Sequence, residues 1–400
     1  MNFSIAQIDQ AAHDLLPALI ETRRHLHSHP ELSFQEYQTA SFIGQKLQEM
    51  NIPFQSDVAG TGIVALIRGK NPDSRCVALR ADMDALPIKE ANDVPYRSQN
   101  KGVMHACGHD VHSTCLMGAA KILNELKSEF EGSIKLIFQP GEEQSPGGAS
   151  LMIAEGALAN PTVEAIFGLH VDPSLPSGTV GFRAGQYMAS ADEIHIRITG
   201  KSGHAALPHL AVDPISISAL IITALQQVVS RKANPLTPSV LTFGKISGGQ
   251  TTNIIPEEVE ILGTLRTFDE AWRQQALQLI QNTIESIATA NGARAEVTFP
   301  PGYPSVYNDP QLTENARTLA KKALGTEQVT ALDLRMTAED FAFYGQHVPA
   351  CFFRLGTNHE GKTCTTSVHN AAFDVHEPAM VTGVKMMSLL ALNALGENLS

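Results

Sequence analysis

The sequence has no extended basic run, no apolar stretch of membrane-spanning length, no low-complexity tract and no paired Cys-x2–4-Cys spacing. Each absence removes a class of function. With 29 Lys and Arg against 41 Asp and Glu, the formal net charge is −12. Nucleic-acid binding rests on cations that neutralise phosphates, so the expected partner is a small molecule and not a nucleic acid. The longest apolar stretches, such as ISISALIITAL at 215–225, fall short of the ~20 residues a bilayer crossing needs. Residues 1–20 carry no basic segment and are interrupted by Asp9, His13 and Asp14, which reads as an amphipathic helix and not as a signal peptide. No membrane association is expected, and the cytoplasm is the expected location. The five cysteines, Cys76, Cys107, Cys115, Cys351 and Cys364, are odd in number and scattered, which argues against a disulfide framework. All but Cys107 are expected to pack as small hydrophobes.

What is present is a chain of 400 residues, 43% hydrophobic and 18% charged. Single cores stop growing at roughly 250–300 residues, so two folded units are expected. GIVALIRG (62–69), CVALRAD (76–82), SIKLIFQ (133–139) and VEAIFGLH (163–170) are apolar on consecutive positions, the pattern of strands buried on both faces. Residues 39–50 and 112–130 carry apolar side chains at helical spacing, which makes this part α/β with a mainly parallel sheet flanked by helices. After Gly185 the rhythm changes to strand (191–200), helix (213–232), strand (239–248), strand (258–268), helix (269–292) and strand (294–300). That β-α-β-β-α-β order is the ferredoxin-like unit. The expected division is a first domain of residues 1–186 and 301–400, interrupted by an inserted α+β domain at 187–300.

Open α/β sheets place ligands at the carboxyl ends of their strands. CVALRAD runs into Asp82 and Asp84, SIKLIFQ into Glu142 and Glu143, and VEAIFGLH ends on His170. Cys107, His109 and Asp110 stand at the entry to the helix that follows. Thiolate, imidazole and carboxylate are the donors divalent zinc and related ions use, and dispersed ligands are a feature of catalytic sites. Neighbouring residues of an extended chain point in opposite directions, so one of Glu142 and Glu143 can hold metal while the other serves as general base. Spacing alone does not say which. Asp82 and Asp84 are expected to orient a ligand imidazole. The cluster His25, His27 and His29 is read as structural.

RRHLHSHPELSFQE (23–36), RADMDALPI (80–88), MHACGHDVH (104–112), QPGEE (139–143), GLHVDP (168–173), GKSGHAALPH (200–209), TTNIIP (251–256), GTLRTF (263–268), AEDF (338–341) and VHNAAF (368–373) together resemble the amidohydrolase branch of the zinc aminoacylase and carboxypeptidase superfamily. Hippurate hydrolases, auxin-conjugate hydrolases and bacterial N-acyl-amino acid deacylases belong there. The resemblance implies a zinc-exopeptidase-like catalytic domain that holds two divalent ions, Zn²⁺ or Mn²⁺ with Co²⁺ also admitted, on Cys107, His109, Glu143, His170 and His369. Cys107 would bridge the ions and Glu142 would be the catalytic base. It also implies a homodimer or higher homo-oligomer formed through 187–300, in which His204 reaches the partner's substrate carbonyl while Asn253 and Arg266 lie near the substrate. Other branches carry His-x-Asp where this chain has Asp82-Met83-Asp84, and a bridging aspartate where it has Cys107. The activity implied is hydrolysis of N-acyl-L-amino acids bearing acetyl, benzoyl or indole-acetyl groups. Alternatives are a short-peptide metallopeptidase, a thiol hydrolase with Cys107 as nucleophile and a non-catalytic binding protein.

Overall fold

The four consecutive apolar runs of the first half are strands, and they lie side by side in one large sheet. A computed structural model describes residues 2–358 and 367–400; Cys364 lies outside them. The chain divides into two units, Met1–Gly185 with Tyr307–Asp333 and Asp340–Ser400, and Gln186–Val306 with Leu334–Glu339.

Among the described residues, the large sheet of the first unit has eight strands: β1 (Phe54–Val58), β2 (Gly62–Arg68), β3 (Cys76–Asp82), β4 (Ser133–Gln139), β5 (Ala165–Pro176), β6 (Val180–Phe182), β7 (Val329–Ala331) and β8 (Ala350–Asn358). Their order is β7-β6-β8-β5-β3-β4-β2-β1. The four central strands run parallel, whereas β2 and β1 extend one side antiparallel and β6 pairs β8 antiparallel on the other. Every residue of β3 and β4 is buried, as strands covered on both faces require. The principal helices are α1 (Ile5–Asp14), α2 (Leu16–Ser28), α3 (Tyr37–Glu49), α4 (His109–Glu125), α5 (Gly148–Ala154), α6 (Pro310–Leu324) and α7 (Ala379–Ala394). α4 buries 14 of its 17 residues because the sheet covers one side and α2 and α7 the other. Each large apolar side chain so buried contributes about 1.5–3 kcal/mol.

Three elements differ from the sequence expectation. The first helix breaks in two before Pro17, which lacks an N–H and sits comfortably only in a first turn. The helix expected over 213–232 is regular only to Gln227, and Val228–Lys232 winds wider, with Ala233 N–H donating to Val228 O at 3.1 Å. The strand expected to end on His170 continues to Pro176, because its parallel neighbour β8 keeps pairing with it as far as Asn358.

In the second unit, strands Asp192–Thr199, Ser239–Ser247, Glu258–Thr267 and Arg294–Thr298 form an antiparallel sheet. The order, by first residue, is 239-258-192-294. Burial alternates along Asp192–Thr199, the mark of a sheet with one covered face. Ile194, Ile196 and Ile198 share a core with Ile217, Ile221 and Leu225 of helix Pro214–Gln227 and with Ala276, Ile280 and Ile284 of helix Glu270–Ala290. Both helices start on an aspartate whose carboxylate accepts a backbone N–H, Asp213 from Ile215 and Asp269 from Trp272, a cap worth about 1 kcal/mol. No helix among the described residues is long and apolar enough to cross a membrane.

Candidate metal centre

Strand register in the first unit sets the level at which the polar groups emerge. Asp82 pairs with Gln139 on one side of β3, and Arg80 pairs with Gly168 on the other. His170, two residues beyond Gly168, is therefore level with Asp82 and Gln139. Behind this row the loop 104–108 enters α4 through Gly108, at φ +85. A Cβ on Gly108 would lie 2.5 Å from Val171 Cγ2, so only glycine lets the loop pass this close to β5. His109 is the first residue of α4, and Cys107 Sγ comes to 3.3 Å from His170 Nε2.

Three groups of ligand atoms gather here, each within 4.8 Å: Cys107, His109 and His170; Cys107, Glu143 and His369; His109, Glu142 and Glu143. The first two share Cys107. Glu143 Oε1 lies 4.0 Å from His109 Nε2 and 3.1 Å from His369 Nε2. His369 arrives from the other end of the chain, at φ +62, with its N–H donating to Ala106 O at 2.8 Å. Glu142 is buried beside Glu143.

The far nitrogens of His109 and His170 are engaged. His109 Nδ1 is 3.0 Å from Asp84 Oδ1, and His170 Nδ1 is 2.8 Å from Val171 O. With a metal ion taking the place of the Nε2 proton, these partners would keep the remaining proton on Nδ1. Asp84 Oδ2 also accepts the Glu143 N–H (2.9 Å) and the Ser33 hydroxyl (2.7 Å). Asp82 approaches His109 only to 3.8 Å and instead holds His112 Nδ1 at 2.6 Å. His112 Nε2 accepts the Val171 N–H at 2.9 Å, so both its nitrogens are spent on supporting the cluster.

The donor set suits divalent cations. His109 Nε2 is buried without a hydrogen-bond partner, whereas buried polar atoms are normally paired. Burial, then the charges of Glu143, Glu142 and Asp82, push the Cys107 thiol well above its ordinary range. Burial disfavours a charged His109, yet Asp82 and Asp84 outweigh it and raise this imidazole to about 10. Burial, followed by Arg354, holds His170 well below the ordinary histidine value. The cluster is thus an excess of carboxylate charge around an unpartnered imidazole nitrogen, which a thiolate-tolerant divalent ion would neutralise.

The remaining residues fall elsewhere. In the second unit Gly203–His204 pairs with Ile254–Ile255, and Ala205 N–H donates to Asn253 O at 3.0 Å, so His204 and Asn253 share one exposed ribbon. Arg266, opposite Val240 in the sheet, is half-buried. His27 is buried between Asp110 (2.8 Å) and Glu90 (3.1 Å), and His25 stacks on Phe42. None of the three upstream histidines joins a metal-type group among the described residues. Cys76, Cys115 and Cys351 are buried free thiols. Sequence reasoning did not single out His112, although it lies three residues after His109 in the same motif. Nor did it find the buried set in which Arg80 binds Asp82 (2.5 Å), Gln139 (2.8 Å) and Asp340 (2.8 Å); Asp340 was visible only as part of AEDF.

Residues 78–393 match the model of peptidase family M20/M25/M40. An N-acetyl-L-cysteine deacetylase of Bacillus subtilis is 42% identical over 91% of this chain and 85% of its own. An N-acyl-L-amino acid amidohydrolase of Geobacillus stearothermophilus is 43% identical over 76% of this chain and 81% of its own. Among solved structures, the YXEP protein of Bacillus subtilis, described as a dinuclear metal binding peptidase of the M20 family, superposes with a TM-score of 0.82 at 36% identity, covering 96% of this chain and 99% of that one. With the family model spanning most of its length, the chain belongs to peptidase family M20/M25/M40.

Proposed function

We propose that this protein is a metal-dependent amidohydrolase that cleaves N-acyl-L-amino acids to a carboxylic acid and a free amino acid. The single observation that carries the reading is the cluster of Cys107, His109, Glu143, His170 and His369, buried at Cys107, His109 and His170 and exposed at His369, with an unpartnered His109 Nε2 and a second carboxylate, Glu142, alongside. These five residues would hold two divalent ions, Zn²⁺ or Mn²⁺ with Co²⁺ admitted, and Cys107 would be shared between them. Ions bound there would lower the pKa of a water toward neutrality and polarise the amide carbonyl. Glu142 takes the proton of that water as it attacks and later returns it to the departing amine nitrogen. Asp84 and the Val171 carbonyl keep His109 and His170 in the tautomer that presents Nε2.

The substrate class is supported by the two relatives named for N-acyl-amino acids and by Arg266. This cation is half-buried, burial lowers its pKa, and it forms no ion pair among the described residues. A substrate carboxylate would supply the missing partner, with Asn253 beside it. His204 would stabilise the developing oxyanion from the second copy of a homodimer formed through 187–300. Ile215, Leu220, Val240 and Ile246, exposed on the second unit, are apolar surface that such an interface would cover. The cytoplasm is the proposed location.

The test is chelation. Activity on an N-acetyl, benzoyl and indole-acetyl amino acid panel should vanish with chelator and return with Zn²⁺, Mn²⁺ or Co²⁺. Activity that survives chelation and dies on thiol alkylation would favour Cys107 as nucleophile.

A further inference from the structure

The mechanism above makes no use of residues 31–36, yet this segment grips the turn that carries Glu142 and Glu143. Glu36, with no exposed surface, accepts the Gly141 N–H at Oε1 (2.8 Å) and the Thr61 hydroxyl at Oε2 (2.6 Å). Phe34 covers Gly141: a Cβ there would lie 2.7 Å from Phe34 Cε2 and closer still to the rest of the ring edge. Ser33 donates to Asp84 Oδ2, the same oxygen that accepts the Glu143 N–H. Upstream, Ala85 N–H donates to Glu31 O at 2.8 Å. The segment is thereby fastened along the loop that bears Asp84.

Two features are costly for a merely structural brace. Phe34 and Gly141 both stand at φ +61, and for a bulky side chain that region is strained. Such strain persists where the surroundings over-determine it, and it clusters at functional sites. A carboxylate is also an expensive way to fill a buried space, since an apolar side chain of similar volume would avoid the desolvation. Burial and the neighbouring Asp84 push the Glu36 carboxyl up to about 7, against the hydrogen bonds from Thr61 and Gly141. What the charge provides in return is a strong acceptor for one particular N–H, that of the residue preceding Glu142.

We propose that Glu36 and Phe34 are positioning residues for the general base. They fix the Gly141 turn so that the Glu142 carboxylate meets the attacking water, and they do so without touching substrate or metal. This rests on Glu142 being the base.

The experiment compares Glu36→Ala, Glu36→Gln, Phe34→Gly and Glu142→Gln in the full-length, metal-loaded enzyme. It reads kcat, KM, bound metal by elemental analysis, and Tm. Displacing a reacting group by about 1 Å costs on the order of 100-fold in rate, so Glu36→Ala should lower kcat by roughly 10–100-fold with KM and metal content unchanged. Glu36→Gln still accepts the Gly141 N–H and can donate to Thr61, and it should recover most of that loss. Phe34→Gly removes the ring while relieving the strained φ, and it should also lower kcat at constant metal content; it carries the test if Glu36→Ala does not fold. Wild-type kcat in Glu36→Ala and Phe34→Gly, beside an inactive Glu142→Gln, would overturn the positioning role alone. A rate loss that merely tracks lost metal or lowered Tm would overturn it too. Full turnover in Glu142→Gln would instead overturn the base assignment beneath it.

Discussion

The two units of this chain place their candidate functional residues in opposite environments. In the first, Cys107, His109 and His170 are buried, and two of the imidazoles have their outer nitrogen engaged by a partner of its own. In the second, His204 and Asn253 lie on an exposed two-stranded ribbon and Arg266 has no ion pair among the described residues. A site over-determined by its own chain is preorganised, and reorganisation during the reaction is avoided. Exposed side chains, and a cation without an ion pair, are instead available to something that arrives. The difference suggests a division of labour, with chemistry in the first unit and recognition in the second.

The largest expected effect tests the chemical half. Glu142→Ala should retain its metal and lose roughly 10²–10⁴-fold in kcat, the usual contribution of a general base; unchanged turnover would break the assignment. Next comes His204→Ala, expected to cost on the order of 10²-fold through loss of an oxyanion donor. If His204 acts across a dimer, mixing the inactive Glu142→Ala and His204→Ala proteins should restore activity, because one site of the mixed dimer then has both groups intact. No recovery in a verified mixed dimer would confine His204 to its own chain or remove its role. Arg266→Met should raise KM by roughly tenfold with kcat little changed, as loss of uniform binding does. A fall in kcat at constant KM would move Arg266 from recognition to chemistry.

The smallest effect concerns stability. Glu36 has an ordinary value of 4.5 and about 7 in the folded protein, so between those values the folded state binds more protons than the unfolded state. Stability contributed by this group is therefore lost as pH rises through that window, by about 3 kcal/mol at most. The groups acting on it are Asp84, Thr61 and the Gly141 N–H. Glu36→Gln removes the dependence, so its Tm at pH 8 should equal or exceed that of the wild type. A Tm lowered at pH 8 but not at pH 5 would reverse the sign and contradict the buried-charge account.

The fold was legible wherever pattern and burial agree. Consecutive apolar residues marked β2, β3 and β4 to within a residue, and the order of strand and helix patterns after Gly185 marked the second unit's elements. The position of His170 was read from a strand end that does not exist, since β5 runs on to Pro176. His170 is nonetheless level with the ends of β3 and β4. His369 has no local signal at all: it sits on an irregular segment 199 positions after His170, and only resemblance pointed to it. Glu36, Ser33, Arg80 and Asp340 were missed for a related reason. Each is a buried polar group whose partner is distant in sequence, and no periodicity records such a pairing.

The most direct test of the central claim is metal stoichiometry in the purified wild-type protein and in Cys107→Ala. The account predicts two divalent ions per wild-type chain and a clear loss in the variant, because Cys107 belongs to two of the three ligand groups. Full occupancy without Cys107, or a fully active wild-type protein with no bound metal, would contradict it.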